Sequence, residues 1–100
     1  MVYDPGALSA SLAAAVGSDS ELAAELRGLF LEGAERQLDL LRRARCDANW
    51  TMAASRLQSL AGSFGATGLM ALAGEALAGP PSEPVVLRKI RAAIDDFAST

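Results

Sequence analysis

Residues 47–66 read DANWTMAASRLQSLAGSFGA and carry the most regular amphipathic pattern in this chain of 100 residues. Apolar side chains recur there at intervals of three and four residues, at Trp50, Ala53, Ala54, Leu57, Leu60, Ala61 and Phe64. This spacing places them on one face of an α-helix, because a helical turn takes about 3.6 residues. We therefore predict a helix over residues 48–64 whose apolar face, Trp50 and Phe64 included, is buried. Gly65 is suited to cap its C-terminal end.

Similar patterns on both sides of this helix predict a wholly helical protein. The predicted elements are α1 over residues 5–16, α2 over 19–45, α3 over 48–64, α4 over 68–78 and α5 over 83–98. Ser18 and Ser82 are predicted to cap α2 and α5. The apolar face predicted for α2 consists of Leu22, Leu26, Leu29, Phe30, Gly33, Leu40 and Leu41. The expected fold is one all-α domain over residues 1–100, an up-down four-helix bundle of α2 to α5 with α1 as a short capping helix.

The composition favours the same fold and narrows the function. The chain holds 21 Ala and 15 Leu against four Val and two Ile, which suits helices better than strands. Its net charge of -3 disfavours binding to a phosphate backbone. It contains no histidine and a single cysteine, Cys46, so imidazole bases, Ser–His and Cys–His pairs and Cys/His metal clusters are excluded.

Further expectations concern chemistry and location. No apolar run approaches the roughly 18 residues of a membrane span, and the first residues lack the basic start of an export signal. We therefore expect a cytoplasmic protein that is not an enzyme, holds no metal or cofactor, and binds neither nucleic acid nor membrane.

The outer face of α3 is unusual, because it lacks the Asp, Glu and Lys that a surface helix normally carries. It consists of Ala48, Thr51, Met52, Ser55, Gln58, Ser59 and Gly62, with Arg56 at its edge. One interpretation is an ordinary solvated polar face. We favour the other interpretation, a docking surface, since small uncharged residues cost little to desolvate.

The segment 54–66, ASRLQSLAGSFGA, resembles the core motif of histidine phosphotransfer (HPt) domains, and the resemblance spans about residues 20–98. That motif runs roughly Ala-His-x-Leu-Lys-Gly and closes in Gly-Ala after a small-residue segment. HPt domains are four-helix bundles that exchange a phosphoryl group between an exposed His and the aspartate of a response-regulator receiver domain. In this chain Ser55 stands at the position of the His, Gln58 at that of the Lys, and Ser59 at that of the Gly.

The resemblance therefore implies a four-helix bundle and a receiver domain as the class of partner, but it does not imply phosphotransfer. A serine nucleophile needs an activating base, and the neighbours of Ser55 one turn away are Thr51, Met52, Gln58 and Ser59. None of them offers a carboxylate, an imidazole or an amine. A serine phosphate ester is also too low in free energy to return its phosphoryl group readily to an aspartate.

We expect a phosphorylation-incompetent HPt-like protein of two-component signalling that docks a receiver domain or a histidine kinase and regulates it by occupancy. The predicted contact residues are Thr51, Met52, Ser55, Arg56, Gln58, Ser59 and Gly62. A monomer is expected rather than a homodimer. The alternative is a structural or self-associating helical bundle with no signalling role.

Overall fold

The computed structural model describes residues 10, 12, 14 and 19–99, and this part of the chain contains α-helices and no strand. The helices are α2 at Ser20–Arg43, α3 at Asp47–Ser63, α4 at Thr67–Ala78 and α5 at Pro84–Ser99. The predicted all-α class and the bundle of four helices are confirmed. The α1 prediction over residues 5–16 falls mainly outside the described residues, of which Ala10, Leu12 and Ala14 are helical.

The helices pack as a ring of four neighbours. α2 contacts α3 and α5, and α4 also contacts α3 and α5. In the described part of the chain, no Cα atom of α3 lies within 8 Å of one in α5, and the same holds for α2 and α4. Short connections between successive helices favour antiparallel neighbours, as in an up-down bundle. α3 and α5 therefore lie on a diagonal, and their outer faces point to opposite sides of the molecule.

Apolar side chains alone fill the core of the described residues. Phe30 of α2 lies between two other rings, with its centroid 5.2 Å from that of Phe64 and 5.6 Å from that of Phe97 of α5. Such tilted and edge-on pairs are favourable beyond the area they bury. Trp50 is fully buried, as predicted, while Phe64 is partly exposed. Leu12 also joins the core.

The end of α3 takes the form predicted from Gly65. Gly65 has a φ of 71°, and its N–H donates to the carbonyl of Gly62 at 3.2 Å. The N–H of Ala66 donates to the carbonyl of Ala61 at 2.8 Å. These two bonds form a Schellman motif, which turns the chain out of α3 and into α4.

Carboxylate side chains cap the N-terminal ends of α2 and α5. α2 is capped by Asp19, whose carboxylate accepts the N–H of Leu22 at 3.0 Å, and Ser18, which was predicted for this role, lies outside the described residues. At α5 the Glu83 carboxylate, not Ser82, accepts the N–H groups of Val86 and Val85. These two bonds, that of Val86 first, lower the pKa of Glu83 below its usual range. A carboxylate is a stronger acceptor than a hydroxyl, and this explains why Glu83 rather than Ser82 caps α5.

Candidate docking surface

The structure brings the predicted contact residues together along one side of α3. Thr51, Met52, Ser55, Arg56, Ser59 and Gly62 are exposed, and Gln58 is half-buried. We call this set the α3 stripe. The opposite side of the same helix is buried through Trp50, Ala53, Ala54, Leu57 and Ala61. The rotation of α3 is therefore fixed by its apolar face, and this holds the α3 stripe toward the outside.

One margin of the α3 stripe serves the packing of α3 against α4. A Cβ atom added at Gly74 of α4 would stand 3.2 Å from Nε2 of Gln58. A Cβ added at Gly62 would stand 3.3 Å from the sulfur of Met70 in α4. Both distances are tight for non-bonded carbon, so each glycine allows a close approach of the two helices. Gln58 and Gly62 are thus partly engaged within the bundle, and the free centre of the stripe lies at Ser55 and Ser59.

The other margin of the α3 stripe opens into a shallow groove between α3 and the end of α2. This groove has a volume of about 230 Å³. Its lining consists of Leu40, Arg43, Ala44, Asn49, Met52, Ala53 and Arg56. Ala44 and Ala53 are buried, whereas Leu40 is 44% and Met52 is 49% exposed. Two large apolar side chains with free surface therefore lie beside the α3 stripe.

Arginine makes the edge of this groove positive. Arg43 forms an ion pair with Asp39 one turn earlier in α2, with Nε 3.2 Å from Oδ2, and both side chains are mostly exposed. Arg56 takes part in none of the ion pairs found among the described residues. The groove thus combines exposed apolar surface with a guanidinium that is available to a carboxylate. Arginine is the residue most suited to pairing with a carboxylate through two hydrogen bonds.

Sequence reasoning missed the contribution of α2 to this surface. Leu22, Leu29 and Leu40 were expected in the core, but they are 40%, 59% and 44% exposed. A helical wheel explains the error. At 100° per residue these three leucines lie within about 20° of one another and roughly 100° away from Phe30 and Leu41, which are buried. The leucines therefore form a second apolar stripe on α2, next to α3, and their angular separation from Phe30 is visible in the sequence.

Ser55 is exposed. In the described part of the chain, no three His, Cys, Asp or Glu side chains are close enough together to hold a metal ion. None of the helices described is both long and apolar enough to cross a membrane. Cys46 is exposed at the N-terminal end of α3.

Comparison with known proteins finds no relative of this chain. No protein-family model, no curated protein and no solved structure matches it.

Proposed function

We propose that this protein is a phosphorylation-incompetent HPt-like binding module of two-component signalling. It docks the receiver domain of a response regulator, or a histidine kinase, on the α3 stripe together with the adjoining groove. It regulates that partner by occupying the surface that a phosphotransfer protein would use.

One observation carries this proposal. The exposed centre of the α3 stripe at Ser55 and Ser59 continues, without an intervening acidic residue on α3, into the groove where Met52 and Leu40 are about half exposed. An apolar centre with an arginine at its edge is the usual composition of a protein interface. Small side chains around Ser55 allow a partner backbone to approach closely.

The same residues explain why occupancy, and not phosphotransfer, is the proposed mode of action. The chain has no histidine to carry a phosphoryl group. Ser55 occupies the corresponding place in the resemblance, and a serine hydroxyl needs an adjacent base before it becomes a nucleophile. A docked receiver would therefore gain no phosphoryl group and would be withheld from its true donor.

The test is an NMR titration of the ¹⁵N-labelled protein with each receiver domain and each kinase core of the source genome. We expect shifts concentrated at Met52, Ser55 and Ser59, with smaller shifts at Leu40 across the groove. Shifts confined to α5 would contradict the proposal, because α5 lies diagonally opposite α3. The absence of shifts with every receiver and kinase would leave the structural bundle as the better interpretation.

A pair of matched variants places the surface. Ser59→Arg adds a long charged side chain at the centre of the α3 stripe, and Ser99→Arg adds the same side chain to the exposed end of α5. We expect Ser59→Arg to weaken binding by about a hundredfold or more, since a buried unpaired charge costs several kcal/mol. Ser99→Arg should leave the affinity unchanged. Equal binding by both variants, with circular dichroism showing both folded, would rule out the α3 stripe as the interface.

A further inference from the structure

The outer face of α2 divides into an acidic half and a basic half. Glu25 and Glu32 lie in the first part of the helix, and Arg36 and Arg43 in the second, and all four are exposed. Asp39 borders the basic half and pairs with Arg43. At 100° per residue they fall within an arc of about 40°. The exposed Leu29 and Leu40 border the same arc. This face therefore carries opposite charges at its two ends and apolar surface along its edge.

The charges are arranged symmetrically about Ala34. Glu25 and Arg43 each stand nine residues from Ala34, on opposite sides, and Glu32 and Arg36 each stand two residues from it. Ala34 itself faces the core and marks only the level of the crossing. When two copies of such a helix lie antiparallel and cross at this level, Glu25 and Glu32 each meet an arginine. In the same register Leu29 lies about one residue, or 1.5 Å, from the level of Leu40 of the second copy.

We propose that α2 pairs antiparallel with α2 of a second copy of this chain about a two-fold axis that passes outside α2 at the level of Ala34. Glu25 faces Arg43 of the second copy, and Glu32 faces Arg36 of the second copy. The axis repeats each contact, so the interface is self-complementary and closes at a dimer. Exposed apolar area of Leu29 and Leu40 is buried at the same time.

Two features favour a second copy over another occupant. Glu32 and Arg36 are one turn apart in α2, but neither belongs to an ion pair found among the described residues, so both charges are available. The complementarity is also internal to the sequence, since the same helix supplies both halves. Leu29 and Leu40 were both predicted to lie in the core. The structure exposes both residues and gives a second copy an apolar surface to bury.

The dimer would also act on the docking surface. Arg43 and Leu40 belong both to the α2 face and to the groove beside the α3 stripe. Self-pairing and partner binding therefore compete for the same side chains, and a rise in protein concentration lowers the apparent affinity for the partner. This consequence alone rests on the proposed function; the dimer itself does not.

Sedimentation velocity of the full chain, from about 10 μM to about 1 mM, tests the dimer without any partner. We expect the wild-type protein to shift from monomer to dimer in this range. Glu32→Arg alone and Arg36→Glu alone each place like charges opposite one another twice per dimer, and each should weaken association about tenfold or more. An equimolar mixture of these two variants should form heterodimers, because every contact then joins opposite charges again.

The mixture also excludes misfolding as the cause of any loss, since unfolded variants would not recover together. Leu29→Lys should weaken association too, whereas Val85→Lys on α5, a position 44% exposed, should not. A wild-type chain that stays monomeric up to about 1 mM would overturn the proposal. So would a dimer that persists in both charge variants, or a mixture that stays monomeric.

Discussion

At the scale of single residues, Trp50 joins α3 to α4 by a buried hydrogen bond. Its indole N–H donates to the carbonyl of Ala76 at 2.8 Å, and both residues are buried. Trp50→Phe keeps a large apolar ring but leaves this carbonyl with only a long 3.4 Å contact from the N–H of Gly79. We expect a loss of about 1–3 kcal/mol in the free energy of unfolding. Urea denaturation followed by circular dichroism measures it, and an unchanged midpoint would show that the hydrogen bond is energetically neutral.

The burial of Trp50 could be predicted from the sequence, but its hydrogen bond could not. Apolar spacing along α3 is a local property, and it places Trp50 on the inner face whatever the neighbouring helix is. The partner carbonyl belongs to Ala76, 26 residues later, and depends on how far α4 slides along α3. The cap of α5 was also ambiguous in the sequence, because Ser82 and the neighbouring Glu83 both carry an oxygen that can accept the first N–H groups of a helix.

At the scale of elements, the turn between α3 and α4 depends on the left-handed backbone of Gly65. Its φ of 71° is unfavourable for a side chain, so we expect Gly65→Ala to lower the free energy of unfolding by about 1 kcal/mol. Gly28→Ala is the matched control, because Gly28 lies inside α2 with no atom within 4 Å of an added Cβ. That control should raise the stability by up to about 1 kcal/mol, since alanine is the better helix former. Equal effects of the two substitutions would contradict the role of the turn.

The helices and the α3 stripe could be predicted because each follows from the periodicity of a single segment. The groove could not be predicted, since it forms where α2 and α3 meet. Its position depends on the rotation of α2, in which Phe30 and Leu41 face the core and turn Leu40 outward. The sequence of α2 contains more apolar residues than one helix face can bury, so its rotation about the helix axis is not fixed by the pattern alone. In the structure Phe30, Leu38 and Leu41 are the large side chains that α2 buries.

At the scale of the whole molecule, ion pairs on the surface connect α5 to its two neighbours. Arg91 donates to both carboxylate oxygens of Glu35 in α2, with Nη1 2.8 Å from Oε2, and also contacts Asp95. Lys89 pairs with Glu75 of α4 at 3.6 Å. The described core holds no buried polar or charged residue that could fix the register of α5. These surface pairs therefore supply the directional contacts that apolar packing lacks.

The contact between Glu35 and Arg91 should make the stability depend on pH. The hydrogen bond from Arg91, more than any other cause, lowers the pKa of Glu35 below its usual range. A carboxyl group whose pKa is lower in the folded state stabilises the fold above its ordinary pKa, and this contribution is lost as the pH falls through the folded value.

Both side chains are partly exposed, so Glu35→Gln should cost no more than about 1 kcal/mol at pH 7. The difference from wild type should shrink as the pH falls below the ordinary range of a carboxyl group, and it should disappear once Glu35 is protonated in the folded state. Urea denaturation of both proteins at a series of pH values measures this, with Glu21→Gln, an exposed carboxylate outside these ion pairs and outside the proposed dimer contacts, as the control. A deficit for Glu35→Gln that stays constant with pH would show that the amide disturbs packing, and that the charge of Glu35 does not hold α5 to α2.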